Sequence, residues 1–143
     1  MLSAMVWPIK ESFLEYLAAL EDATIETDGA ERTPDGFLFP AEPGPDGMSF
    51  SGSIGITAHA GALRVEFAAP RISRDDHSVV LLVRSPSGTI GLVRILDYPE
   101  DDQVLRNTGG TLSDVALTME GSAMLGSVYG PWARMSPITL VAG

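Results

Sequence analysis

The chain has 143 residues, enough to bury a hydrophobic core, and we expect residues 1–143 to form one domain. Nineteen acidic and nine basic residues give a net charge of −10, which argues against nucleic acid and anionic membranes as partners because both are bound by clustered Lys and Arg. The absence of cysteine excludes disulfides, zinc–thiolate sites and thiol nucleophiles. No apolar run approaches the roughly 20 residues of a membrane span, and with no recognisable signal peptide we expect a cytoplasmic protein.

The first predicted element is a helix that begins near Pro8, a residue suited to a first helical turn. Its apolar residues fall at helical spacing on one face, which consists of Ile9, Phe13, Tyr16, Leu17 and Leu20. Most of the charged residues in this segment lie off that face. The pattern therefore predicts an amphipathic helix whose Tyr16 side chain points toward the core, where its hydroxyl group needs a hydrogen-bond partner.

Beyond this helix, short apolar segments alternate with turns rich in Gly, Pro and acidic residues, as is typical of β-strands. We predict strands at residues 23–27, 36–39, 48–59, 63–67, 79–84, 89–96, 115–119 and 138–141. Pro70 is expected to end the fourth of them, residues 41–47 are predicted as a loop, and residues 97–102 as a solvated acidic run. One helical turn is expected within residues 121–130. The sequence thus predicts a mainly β fold, an antiparallel β-sandwich or curved sheet with one N-terminal α-helix packed on it.

Residues 56–67, ITAHAGALRVEF, are interpreted as a β-hairpin. Apolar and polar residues alternate along its first strand, which places His59 on the polar face where the turn begins. Taken alone, this position is typical of an exposed or turn-bonded histidine. Tyr129, in the segment SVYGPW, is likewise typical of an aromatic packed beneath a Gly-Pro turn.

Catalytic motifs do not stand out in the sequence. It contains no GxSxG, P-loop, HExxH or strand-linked GxGxxG pattern. Paired carboxylates occur only in hydrophilic runs such as Asp75-Asp76. These observations favour a binding protein over an enzyme, although they leave an enzyme open.

Three segments, in order along the chain, resemble conserved stretches of HtaA domains, which are bacterial haem-binding modules of haem-uptake systems. They are WPIKESFLEYL at residues 7–17, FSGSIGITAHAGAL at 50–63 and GSAMLGSVY at 121–129. Pro137 stands where the family closes with a proline, so that the similarity extends from Trp7 to Leu140. The resemblance implies an HtaA-like fold. Family members are usually exported.

The resemblance also implies a site. In HtaA domains a tyrosine of the N-terminal helix is the axial ligand of ferric haem, a hairpin histidine hydrogen-bonds that tyrosine, and a second tyrosine supports the site. The matching residues are Tyr16 as the metal ligand, His59 and Tyr129. Ferric iron is a hard cation that accepts a phenolate oxygen, and a neighbouring imidazole can take the phenol proton.

Two further groups of residues are expected to contact a porphyrin. Ser12, Arg64 and Arg134 are candidate donors to the haem propionates. Small residues of the hairpin strand and its turn are expected to let a flat ligand approach the sheet, and these are Gly52, Gly55, Ala58 and Ala60.

The resulting hypothesis is a haem-binding module for haem trafficking or buffering. A first alternative keeps the fold but is a cytoplasmic protein that binds another apolar small molecule in the same pocket, as a cyclase or isomerase in which Tyr16, His59 and Tyr129 are the acid–base groups. A second alternative is a structural or protein-binding domain whose Tyr–His pair is only a hydrogen bond. Assembly as a homodimer is left open.

Overall fold

The computed structural model describes residues 1–44 and 48–143, so that part of the predicted loop at 41–47 lies outside the described residues. In chain order the elements are β1 (Leu2–Trp7), α1 (Glu11–Ala18), β2 (Thr24–Asp28), β3 (Glu31–Thr33), β4 (Gly36–Pro40), β5 (Ser53–Ala58), a 3-10 turn (His59–Gly61), β6 (Leu63–Arg74), β7 (Val79–Ser85), β8 (Gly88–Ile95), α2 (Gln103–Thr108), β9 (Gly109–Leu112), β10 (Val115–Leu117), α3 (Met119–Met124) and β11 (Ile138–Ala142). The prediction of a mainly antiparallel β fold is confirmed.

The strands form two antiparallel sheets. The first has the order β3-β4-β1-β11-β9 and the second the order β10-β8-β7-β6-β5-β2. Both sheets contribute to a shared core, in which Trp7 and Phe39 of the first sheet contact Phe67 of the second at ring-centroid distances of 6.5 and 6.1 Å. Burial of these large aromatic surfaces holds the sheets face to face.

The N-terminal residues differ from the prediction, because a strand and not a helix comes first. β1 pairs with β4 on one side and β11 on the other, and Met5 and Trp7 are fully buried. Ile9 then takes a left-handed backbone conformation (φ 64°), which delays the start of α1 to Glu11. A six-residue strand paired with two distant segments leaves little local signal in the sequence.

The prediction that Pro70 ends a strand is also wrong. β6 continues to Arg74 through an irregularity between Ala68 and Arg71, where Ala69 has φ 53°. Pro70 is buried there and its carbonyl accepts a hydrogen bond from the backbone N–H of Phe50. A proline is tolerated at such a bulge because no ladder hydrogen bond from its nitrogen is needed.

The acidic segment at residues 97–102 is more ordered than a solvated run. The Tyr98 hydroxyl donates to Asp102 (2.7 Å), Arg106 forms a 2.9 Å ion pair with the same carboxylate, and the guanidinium of Arg74 lies 5.2 Å from the Tyr98 ring centroid. Asp102 is therefore part of a network that attaches this segment to β6, and α2 follows it directly. The short elements β3, β9 and α2 were all absent from the sequence-based prediction.

Replacing Asp102 by asparagine is expected to lower the free energy of unfolding by about 1 kcal/mol at pH 7. Burial raises the pKa of Asp102, but hydrogen bonds from Arg106 and Tyr98 outweigh it and leave that pKa below its usual range. A lowered folded-state pKa means that the stabilisation is present above the unfolded-state pKa of about 4 and is lost as the pH falls through the folded-state pKa. Urea unfolding at pH 7 and at lower pH should show the difference shrinking, and an equal difference at every pH would contradict this account.

Within residues 1–44 and 48–143, no helix has the length and hydrophobicity needed to traverse a bilayer.

Candidate functional site

A hydrogen bond joins Tyr16 of α1 to His59 at the end of β5. The Tyr16 Oη and His59 Nε2 atoms are 2.5 Å apart, and the two ring centroids are 5.9 Å apart. Tyr16 is 43% exposed, so the prediction that it points into the core is wrong. The short helix α1 buries only Phe13 and Leu17, which lie four residues apart. Tyr16 is one residue away from Leu17, and one residue along a helix corresponds to a rotation of about 100°, which turns the Tyr16 side chain away from the buried face.

Ser136 fixes the start of α1 and thereby the position of Tyr16. Lys10 provides no side-chain cap, and the Ser136 Oγ atom instead accepts a hydrogen bond from the backbone N–H of Glu11 (3.0 Å). The Ser136 carbonyl accepts from the Trp7 indole N–H (2.8 Å), and the Ser136 N–H donates to the carbonyl of Ile9 (2.9 Å). Sequence reasoning missed Ser136 because the cap lies 125 residues from the helix that it serves.

The turn that carries His59 has an unusual backbone. His59 and Ala60 have φ values of 52° and 55°, in the left-handed region that non-glycine residues rarely adopt. The His59 carbonyl accepts a hydrogen bond from the N–H of Ala62 (3.0 Å), and the Asp22 carboxylate accepts one from the N–H of Ala60 (2.9 Å). The structure therefore presents His59 from a tight, hydrogen-bonded turn and not from the regular strand that the sequence predicts up to this residue.

Tyr129 lies against the first turn of the same helix. Its hydroxyl is 2.8 Å from the Ser12 Oγ atom, and its ring meets the Phe13 ring edge-on at a centroid distance of 6.3 Å. The carbonyl of Tyr129 accepts a 2.6 Å hydrogen bond from the buried hydroxyl of Ser122. Tyr129 is thus held from both its backbone and its ring.

These contacts place four of the predicted site residues in one row, which we call the tyrosine–histidine surface: Tyr129, Ser12, Tyr16 and His59. Ser12 and Tyr16 lie one helical turn apart and so share a face of α1. Tyr129 contacts one end of this face and His59 the other. The row is exposed along α1, so that a flat molecule could lie against it.

The segment before Tyr129 also approaches the His59 turn. A methyl group added at Gly126 would lie 3.0 Å from the Cδ1 atom of Leu63, which begins β6 immediately after that turn. Val128, in the same segment, is 54% exposed. Apolar groups therefore accompany the polar row.

Arg134 has a different partner, since its guanidinium forms a 2.8 Å ion pair with Asp114. A backbone bridge to Ala116 sets Arg134 beside β10. Arg64 is exposed on β6, opposite Thr57 of β5.

Two of the small residues expected to admit a flat ligand are enclosed by protein instead. A methyl group at Gly52 would lie 2.8 Å from the backbone nitrogen of Ala30, and Ala58 is only 1% exposed. Gly52 therefore allows the backbone at Ala30 to pack closely against it, where a side chain would not fit. Ala60, by contrast, is exposed beside His59.

The chemistry of the pair follows from its atoms. An imidazole nitrogen can accept the phenol proton, which leaves an anionic oxygen on an exposed helix face. Such an oxygen is a hard ligand for a trivalent metal ion, or a base for a bound molecule.

Three solved structures from Corynebacterium glutamicum share the fold. The N-terminal domain of HtaA is 18% identical with a TM-score of 0.76, covering 100% of this chain and 98% of that one. The C-terminal domain of HtaA is 20% identical with a TM-score of 0.74, covering 96% and 93%. The heme binding protein HtaB is 23% identical with a TM-score of 0.72, covering 97% and 91%.

A comparison with curated proteins gave no match. The family model HtaA, described as Htaa, matches residues 3–141, which is nearly the whole chain. The resemblance carried by the three sequence segments is thereby confirmed. The chain belongs to the HtaA family.

Proposed function

We propose that this protein binds ferric haem, with the Tyr16 phenolate as axial ligand and His59 as the group that accepts its proton. The observation that carries the proposal is the 2.5 Å hydrogen bond between Tyr16 Oη and His59 Nε2 on an exposed face of α1. Family membership supports it, as does the shared fold with a structure named as a heme binding protein.

The donor set fits haem. A porphyrin has four nitrogen ligands of its own, so that a single phenolate oxygen, that of Tyr16, would suffice as the protein's ligand to the iron. His59 fixes the orientation of the phenol and removes its proton, which is the usual role of a group that hydrogen-bonds a metal ligand.

The surroundings of Tyr16 offer contacts for the remainder of such a ligand. The Tyr129 ring is half-buried against Phe13 and can pack on an apolar plane, while Val128 adds exposed apolar area. Ser12 lies one helical turn from Tyr16, and in its hydrogen bond with Tyr129 one hydroxyl donates to the other, so that the second hydroxyl proton is left to donate to a carboxylate. We therefore assign the propionates to this end of the tyrosine–histidine surface in preference to Arg134, whose charge is paired with Asp114.

The exposure of the pair favours trafficking or buffering over chemical turnover. A Tyr16 side chain that is 43% exposed keeps the ligand near the surface, where another protein can reach it. Enzymes that transform a bound molecule generally enclose it away from water.

The test is a titration of the purified protein with ferric haem, followed by absorbance and electron paramagnetic resonance. We expect saturation at one haem per chain and the high-spin signature of tyrosinate ligation. Absence of any saturable spectral change at micromolar haem would refute the proposal. If an organic molecule then co-purified with the protein, the acid–base pocket for another apolar ligand would be the better account. Sedimentation of the same samples would decide whether the protein forms a homodimer, which the sequence leaves open.

A further inference from the structure

The carboxylate of Asp22 connects the two halves of the Tyr16–His59 pair. Asp22 follows α1 by four residues, and its Oδ2 atom accepts a 2.9 Å hydrogen bond from the backbone N–H of Ala60, the residue after His59. The bond spans 38 residues of sequence. One side chain thus ties the end of the Tyr16 helix to the turn that presents His59.

A second bond reinforces the same connection. The hydroxyl groups of Thr24 and Thr57 are 2.5 Å apart, and β2 pairs with β5 in register along Thr24–Asp28. The backbone on the β5 side of the turn is therefore set by β2 as far as Thr57. The pairing of β2 with β5 ends at Thr57. The next contact between the two segments is the hydrogen bond from the Ala60 N–H to the Asp22 carboxylate.

The turn needs such a contact because its backbone is strained. Non-glycine residues rarely adopt left-handed conformations because the Cβ atom then lies too close to a backbone carbonyl oxygen, and here His59 and Ala60 adopt them in succession. Strain of this kind persists only where surrounding groups hold it, and it clusters at functional sites. An N–H group bonded to a carboxylate is a strong form of hydrogen bond.

Charge supports the geometry. The bond from the Ala60 N–H lowers the pKa of the Asp22 carboxyl, with smaller contributions in the same direction from the backbone N–H of His59 and from its imidazole. The carboxylate is therefore ionised at neutral pH and is the form that binds the turn.

We propose that Asp22 is a positioning residue, which holds the strained His59–Gly61 turn so that the His59 imidazole reaches the Tyr16 hydroxyl. Asp22 itself contacts neither the phenol nor, on this assignment, the ligand. Its effect on haem binding rests on the proposed function, whereas its effect on the turn does not.

The experiment compares Asp22→Ala and Asp22→Asn, with Glu21→Ala as the control that removes the neighbouring exposed carboxylate. Amide hydrogen exchange at Ala60 and the nuclear Overhauser effect between the Tyr16 and His59 rings are measured on haem-free protein. Haem dissociation is measured on the loaded protein, and thermal unfolding checks that all variants fold.

In Asp22→Ala we expect exchange at Ala60 to be about tenfold faster, a weaker ring-to-ring signal, and haem dissociation about tenfold faster. Asparagine keeps an acceptor oxygen, so Asp22→Asn should retain most of the protection at Ala60, and Glu21→Ala should match the wild type. Unchanged exchange at Ala60 and an unchanged ring-to-ring signal in Asp22→Ala would overturn the proposal. If the wild-type protein bound no haem, the proposed function would fail, and the two haem-free measurements would still decide the role of Asp22.

Discussion

Replacement of Tyr16 by phenylalanine is expected to remove the tyrosinate spectrum of the haem-loaded protein and to weaken haem binding by about 100-fold or more. Phenylalanine keeps the aromatic ring but deletes the only atom through which we expect α1 to bind iron. Loss of the exposed hydroxyl should change the free energy of unfolding by less than about 1 kcal/mol, because surface substitutions rarely cost more. Absorbance titration, electron paramagnetic resonance and urea unfolding of the same preparation separate the two effects.

Two comparisons sharpen this test. Tyr98→Phe removes a hydroxyl that is bonded to Asp102 in a different part of the fold, and haem binding should match the wild type. His59→Leu leaves the Tyr16 oxygen in place but removes its hydrogen-bond partner, and affinity should fall by about 10- to 100-fold, as is usual for groups that support a metal ligand. An unchanged spectrum in Tyr16→Phe would exclude Tyr16 as the ligand.

Replacement of Phe13 by alanine is expected to lower the free energy of unfolding by about 3–5 kcal/mol, the range for deleting a buried phenylalanine ring. Phe13 is fully buried and contacts the ring of Tyr129. The eight-residue helix that carries it is too short to be stable alone, so its order depends on this packing. Guanidinium unfolding, monitored by far-UV circular dichroism, measures the change.

The matched control is Val104→Ala on α2, because Val104 is 72% exposed and should cost less than about 0.5 kcal/mol. The haem affinity of Phe13→Ala should also fall, because α1, which carries Tyr16, and the Tyr129 ring both lose the packing that the Phe13 ring provides. A loss of less than 1 kcal/mol would mean that α1 is held mainly by other contacts, such as the cap from Ser136.

Local patterns in the sequence were sufficient for the central strands. Apolar and polar residues alternate along β5 and the first part of β6, β7 is a short apolar run, and each of these strands pairs with a neighbour in the chain, so the pattern and the pairing agree. The helix was recognisable from Phe13 and Leu17, although its true start at Glu11 was not. Three short segments, which occur in the same order as in HtaA domains, were enough to identify the family.

Contacts between distant residues decided the rest. A hydrophobic period cannot tell which edge of a short helix meets the core, and so the periodicity of α1 predicts an inward Tyr16, whereas tertiary packing leaves that side chain exposed. Pairing with β4 and β11 made a strand of residues 2–7, and the cap from Ser136 and the bond from Asp22 both span large separations.

The sequence by itself therefore determined the central strands and the family and, through the family, named Tyr16, His59 and Tyr129 as candidates, because those properties are encoded in residue type and local spacing. Only the tertiary structure decided that the Tyr16–His59 hydrogen bond, which the resemblance implies, lies on an exposed face and that a strained turn presents the imidazole. The physical reason is that a hydrogen bond across 43 residues depends on how α1 and the β5–β6 hairpin pack, and neither segment encodes that packing alone.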